Sequence, residues 1–150
     1  MSLQTLPGDV VVQNQHQVPM AIVEVKPRSL TTEVATAIRR NLFGRKEFPP
    51  SVVYFLLVSP ETGFLWDLKK STGAGDPPTF QFSMKEVVDR YRADDWEPLT
   101  YVDLEYIVFQ WLLEDTWSNG TAPGEPERSL VPTGFLDILQ GATIAFTRQS

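Results

Sequence analysis

Cysteine is absent from this chain of 150 residues, and histidine occurs once, as His16. The first absence excludes disulfides and thiolate zinc sites and makes an intracellular, cytoplasmic setting the expectation. The second excludes the multi-histidine metal sites of zinc hydrolases. Any metal would be held by oxygen, which points to Mg2+ or Mn2+. No apolar stretch approaches the roughly 20 residues needed to span a bilayer, and the N-terminus shows no signal-peptide pattern, so no membrane partner is expected. Gly-x-Ser-x-Gly, a Walker loop and a dinucleotide fingerprint are missing as well, which removes the small-molecule hydrolase and transferase readings. Basic residues are also scarce. The 13 Lys and Arg against 19 Asp and Glu leave a net charge of -6, which argues against a general electrostatic grip on nucleic acid. That deficit is uneven: residues 1–70 carry eight basic and six acidic side chains, residues 71–150 five and thirteen.

What is present suits one domain over residues 1–150: 42% hydrophobic and 11% aromatic residues fill a core without staples. The most informative stretch is 9–26, DVVVQNQHQVPMAIVEVK. Two Val/Ile-rich runs, 9–14 and 19–26, flank a polar turn over 14–17 and read as an antiparallel hairpin. Side chains two apart on a strand share a face, so Glu24 and Lys26 project together while Val23 and Val25 enter the core. If the hairpin returns Glu24 beside Asp9, two carboxylates and an ammonium meet at one spot, suited to a divalent cation beside a charged amine. The alternative is a strand whose outer face is merely charged. His16 falls in the turn, at the strand end away from Glu24.

A helix is expected from Ser29 or Thr31 to Leu42, with Thr31 or Thr32 as N-cap and Val34, Ala37, Ile38 and Leu42 as its apolar face. The run 51–59 is a strand buried on both faces, and 64–70 is its hairpin partner across a tight turn. Residues 71–79 form a loop, and a helix over about 83–92 follows. The strongest helix is 101–115, with a Thr100–Asp103 capping box and a polar stripe of Asp103, Gln110 and Glu114. So apolar a helix is either buried against the sheet or shared with a second copy of the chain. Glu105 sits off the stripe, among Tyr101, Phe109 and Leu112, where a carboxylate must be paired, exposed at the helix end, or used. A polar loop over 118–130, a short helix over 132–140 and a final strand over 142–147 complete an α/β chain with a mixed sheet.

The order of Asp-headed strand, Glu-x-Lys strand, helix and apolar strand, with LPGDVVVQ leading into PMAIVEVKP, resembles the PD-(D/E)XK nuclease superfamily. The later VVYFLLVSPETGFLW is similar to the corresponding stretch of type I restriction motor-subunit nuclease domains. The resemblance covers a core at residues 5–68, leaving 80–150 as a C-terminal helical extension. It implies a restriction-endonuclease-like fold acting on DNA, with Asp9, Glu24 and the Val25 carbonyl holding Mg2+ or Mn2+. Asp9, Glu24 and Lys26 would be the catalytic residues, and Arg39 and Arg40 would touch substrate phosphates. For the two arginines the plain alternative is charge at a helix C-terminus.

Three features depart from the family pattern. Family members usually begin with an acid-bearing helix, but only eight residues precede Asp9; Gly8 stands where the family has Pro; and residues 29–43 contain no Gln. Helix 101–115 would then fill the gap from the other end of the chain, with Glu105 as an extra acid. Two functions follow: a metal-dependent endodeoxyribonuclease, or an inactive module on the same fold. The module would bind a partner or a second copy through helix 101–115 and Trp66, Trp96, Trp111 and Trp117.

Overall fold

The structure, a computed structural model, describes residues 8–45, 48–70, 73, 75–92, 99–116 and 124–147. It is a mixed α/β fold built on one six-stranded sheet. The strands are β1 (Val10–Gln13), β2 (Pro19–Val25), β3 (Tyr54–Val58), β4 (Thr62–Asp67), β5 (Phe80–Ser83) and β6 (Thr143–Phe146), and the sheet order is β5-β4-β3-β2-β1-β6. Only β2 and β3 run parallel, joined by helix α1 (Thr32–Arg45); the other pairs are antiparallel. On the far face lie α2 (Lys85–Tyr91), α3 (Tyr101–Asp115), α4 (Glu127–Leu130) and α5 (Phe135–Leu139). Among the described residues no helix is long and apolar enough to cross a membrane.

The sheet divides the core in two. Val10, Val12, Ala21, Val23 and Val25 face α3 and its neighbours, while Val11, Ile22, Phe55, Leu57 and Trp66 face α1. This alternation is the period-two signature of strands covered on both sides. Asn14 closes the β1–β2 turn, its Oδ1 accepting from the N–H of His16 (2.8 Å) and of Val18 (3.1 Å). Thr31 caps α1, its Oγ1 accepting from the Val34 N–H at 3.2 Å. The Thr100–Asp103 capping box forms at the head of α3.

Several expectations need correction. Ile38 and Leu42 pack against the sheet as expected, joined by Ala35 and Arg39, but Val34 does not and is 41% exposed. Residues 80–83 form a strand, where none was expected between the loop at 71–79 and the helix from about 83; they pair with β4 along the sheet edge. The expected extension over 80–150 supplies both edge strands of the sheet, β5 and β6, as well as one helical layer. Helix α3 spends its apolar face on its own sheet through Leu104, Ile107, Val108, Trp111 and Leu112. Trp66 and Trp111 are fully buried and present no surface to a partner, while Trp96 and Trp117 lie outside the described residues.

Gly63 in β4 is opposite Phe82 in β5, and a Cβ at Gly63 would fall inside the Phe82 ring envelope. Phe82 is itself backed by the Trp111 ring, with centroids 5.9 Å apart. Gly63→Ala is therefore expected to cost about 1–3 kcal/mol through overpacking. Urea unfolding checks this, and an unchanged midpoint would show that the ring has somewhere to go.

A polar cluster ties α2, α3 and α4 together. Buried Glu127 accepts from Arg90 Nη1 at 2.8 Å, Arg90 Nη2 at 3.3 Å and Trp111 Nε1 at 3.1 Å. Asp115, also buried, hydrogen-bonds Glu127. Burial first, then the Glu127 charge, pushes Asp115 up to about 8.

Candidate active site

The pairing of Val10 with Val23 sets the register, and one residue further it places Asp9 across from Glu24. Gly8 makes this approach possible. Its φ is +87°, and a Cβ there would lie 2.5 Å from Ile22 Cγ2 and 2.9 Å from the Val23 carbonyl oxygen, so the position demands glycine. The end of β6 clamps the same spot: the Thr147 N–H donates to the Asp9 carbonyl at 3.0 Å, and Thr147 Oγ1 to the Gly8 carbonyl at 2.5 Å.

The Asp9 side chain is held as firmly as its backbone. Oδ2 accepts the Val25 N–H at 2.8 Å, and Oδ1 accepts the Tyr101 hydroxyl. That hydroxyl also bonds Glu105 Oε2 at 2.7 Å. Lys26 Nζ stands 3.4 Å from Glu24 Oε2 on the same side of β2. In an extended strand the N–H and C=O of one residue point to the same flank. The Val25 carbonyl therefore opens toward Asp9.

Crowded carboxyls oppose each other's ionisation. Burial first, then the Asp9 charge and a hydrogen bond to Asp9, push Glu24 up to about 7 against the downward pull of Lys26. Burial, followed by the hydrogen bonds to Asp9 and Glu105, pushes the Tyr101 phenol well above its ordinary range. Negative charge is thus concentrated where an electropositive guest would be welcome. Among the described residues no three His, Cys, Asp or Glu side chains converge on one metal position. Asp9, Glu24 and the Val25 carbonyl still offer hard oxygen donors of the kind Mg2+ takes alongside water and substrate oxygens. The residues present fit such an ion.

No protein-family model, no curated protein and no solved structure matches this chain.

Of the residues picked out in the sequence, the fold brings together Asp9, Glu24, Val25 and Lys26. Glu105, 9% exposed, joins them at one remove through the Tyr101 hydroxyl. Arg39 does not join them and is a correction. It is 2% exposed, lies over the Phe43 ring at 4.5 Å and donates Nη1 to the Gly73 carbonyl at 2.7 Å, so it cannot reach a substrate phosphate. Its planar guanidinium suits the aromatic slot on α1. Arg40 is exposed and runs beside Gly75; no described hydrogen bond or ion pair links it to the acids. His16 is exposed in the β1–β2 turn. Tyr101 was missed. Its one signal in the sequence was the four-residue spacing to Glu105 at the head of a capped helix, which stacks the two on one face.

Proposed function

We propose that this chain is a metal-dependent nuclease of the PD-(D/E)XK type that hydrolyses DNA phosphodiester bonds. The observation that carries this reading is the meeting of Asp9, Glu24 and Lys26 at one end of the β1–β2 hairpin, with Lys26 Nζ 3.4 Å from Glu24. The order that follows supports it too: crossover helix α1, then β3 parallel to β2. Asp9, Glu24 and the Val25 carbonyl would hold Mg2+ or Mn2+. When bound, the ion polarises a phosphodiester oxygen and acidifies a water. Lys26, about a third exposed, orients the attacking water or neutralises charge developing on the phosphoryl oxygens. Asp9 and Glu24 fix the direction from which the phosphate approaches.

The test is cleavage of plasmid DNA in Mg2+ or Mn2+. Glu24→Ala is expected to lower the rate by ~10²-fold or more, since it removes a ligand and half of the acidic pair. Cleavage at the wild-type rate in that variant would assign the activity elsewhere.

One observation favours a second reading, an inactive interaction module. Tyr101 already gives Asp9 and Glu105 a hydrogen-bond partner from within the protein. Val102 (55% exposed) and Tyr106 (60% exposed) would then be the contact surface for a partner or a second copy. Sedimentation that shifts with concentration, together with no heat of Mn2+ binding, would select this reading over the nuclease.

A further inference from the structure

We propose that an aromatic shelf of Tyr106, Phe109 and Phe146 stacks an unpaired nucleobase, so that the preferred substrate of the neighbouring site is single-stranded DNA. The inference rests on the nuclease reading and adds to it the strandedness of the substrate.

The shelf is built from two elements. Val102, Tyr106 and Phe109 recur four and three residues apart along α3 and so share one stripe of the helix. The Tyr106 ring meets Phe146 of β6 at a steep angle, centroids 5.7 Å apart, and the Phe109 ring stacks on Phe146 at 4.6 Å. Val102 and Tyr106 are 55% and 60% exposed, while Phe109 and Phe146 are half-buried. The cluster is thus anchored from within and open on its outer side.

The shelf adjoins the candidate site. Val10 pairs with Val23 on one side and with Phe146 on the other. Phe146 therefore stands level with Val23, one residue short of Glu24, and two strand spacings away, about 10 Å. Phe146 packs on the α3 face with Val10 and Val23, whereas Glu24 and Lys26, out of phase with Val23 and Val25, project from the α1 face. Tyr101, the first residue of α3, reaches Asp9 at the sheet end between them. A substrate that uses both the acids and the shelf must bend over that end. Duplex DNA stays straight over about 150 base pairs and turns its bases inward. A single strand bends readily and presents the face of each base.

Charge points the same way. Asp103 and Glu114 are exposed on α3, whereas Lys26 is partly open and Arg28 is exposed beyond the end of β2. Phosphates are therefore favoured on the Lys26 side, leaving uncharged bases to the shelf. With a net charge of -6 the chain has little general attraction for a phosphate backbone, and stacking supplies affinity that does not depend on one. A second copy of the chain fits less well, because a two-fold interface would bring the same acidic surface of α3 against itself.

The experiment is fluorescence anisotropy in EDTA with a labelled single-stranded oligonucleotide and its duplex, for the wild-type chain, Tyr106→Ala, Tyr106→Leu and Tyr106→Phe. The wild type is expected to bind the single strand ~10-fold more tightly than the duplex. Tyr106→Ala and Tyr106→Leu should each weaken single-strand binding ~10-fold, and Tyr106→Phe should retain it, because stacking needs a ring and not merely an apolar side chain. Tyr106 is exposed, so these changes leave the fold intact. Wild-type affinity in Tyr106→Ala or Tyr106→Leu overturns the shelf, as does equal binding of duplex and single strand by the wild type. Sedimentation that shifts with concentration in the wild type but not in Tyr106→Ala, with no oligonucleotide bound, overturns it in favour of a second copy. None of these results touches the nuclease reading, which stands or falls on cleavage by Glu24→Ala.

Discussion

Replacing Arg90 with alanine is expected to destabilise the fold by about 3 kcal/mol at neutral pH, the low end of what breaking a buried ion pair costs. The low end applies because the Arg90 side chain is 36% exposed, so water and salt screen part of its charge. Glu127 is only 4% exposed and keeps its charge against the cost of burial. Burial, the largest single influence, would raise its pKa, but the Arg90 hydrogen bonds and charge, a backbone hydrogen bond and the Trp111 N–H together outweigh it and hold the group below the ordinary glutamate value. Without Arg90 that buried carboxylate loses its counter-cation and keeps Trp111 Nε1, a backbone N–H and Asp115 as hydrogen-bond partners, none of which carries a positive charge. The deficit should shrink at acid pH, because a protonated Glu127 no longer needs a cation. The wild-type chain has its own pH signature. Asp115 is raised from 3.8 to about 8 and Glu24 from 4.5 to about 7. Both hold a proton in the folded state that the unfolded chain has released. Each therefore adds stability that is fully present below its unfolded value and is lost as pH rises through the window to its folded value. The slope approaches about 1.4 kcal/mol per pH unit for each group while its window is open. Urea unfolding in EDTA from pH 4 to pH 9 checks the slope, and Asp115→Asn should flatten it. An Arg90→Ala deficit of equal size at pH 4 and pH 8 would show that Glu127 is not the group left stranded.

The hairpin and the long helix were legible in the sequence because their signals are local. Alternating Val and Ile, the Asn14 turn and the Thr100–Asp103 capping box are all read within a few residues of where they act. The meeting of Asp9 with Glu24 was legible for the same reason, since a short hairpin with one buried face has its register set by pattern and turn. What failed had long-range causes. β5 has two exposed residues in four and exists because β4 offers it an edge, which no window over residues 80–83 can reveal. Arg39 looked like a surface cation because guanidinium groups usually are. It is buried because Phe43, the Trp66 ring and the Gly73 carbonyl form a slot that only the folded chain assembles. Tyr101 reaches Asp9 from the far end of the chain, and the single clue was an oddly placed Glu105. The cluster of Arg90, Asp115 and Glu127 joins three helices and shows no motif at all.

Lys26→Ala is expected to lower DNA cleavage by ~10²–10³-fold, the usual effect of removing one group that stabilises charge in a transition state. The expectation rests on where the ammonium stands. It is 3.4 Å from Glu24 with its side chain about a third open, so one side is paired and the other faces solvent, from which a phosphate would arrive. Loss of Lys26 should differ from loss of Glu24 in kind. Glu24→Ala removes a carboxylate that would hold the ion, so Mn2+ binding should weaken together with the rate. Lys26→Ala leaves Asp9, Glu24 and the Val25 carbonyl in place and removes only their neighbouring cation. It also removes the charge that pulls the Glu24 pKa down, so Glu24 should ionise at a pH above about 7 in that variant. At pH 8.5 and above Mn2+ binding should therefore survive while cleavage stays low; at pH 6.5 both should be lost. Lys26→Arg is expected to restore little, because a planar fork cannot reproduce a compact ammonium in so short a pairing. Cleavage within a few-fold of wild type in Lys26→Ala at pH 8.5 would place the amine outside the chemistry and leave it as a simple counter-charge to Glu24.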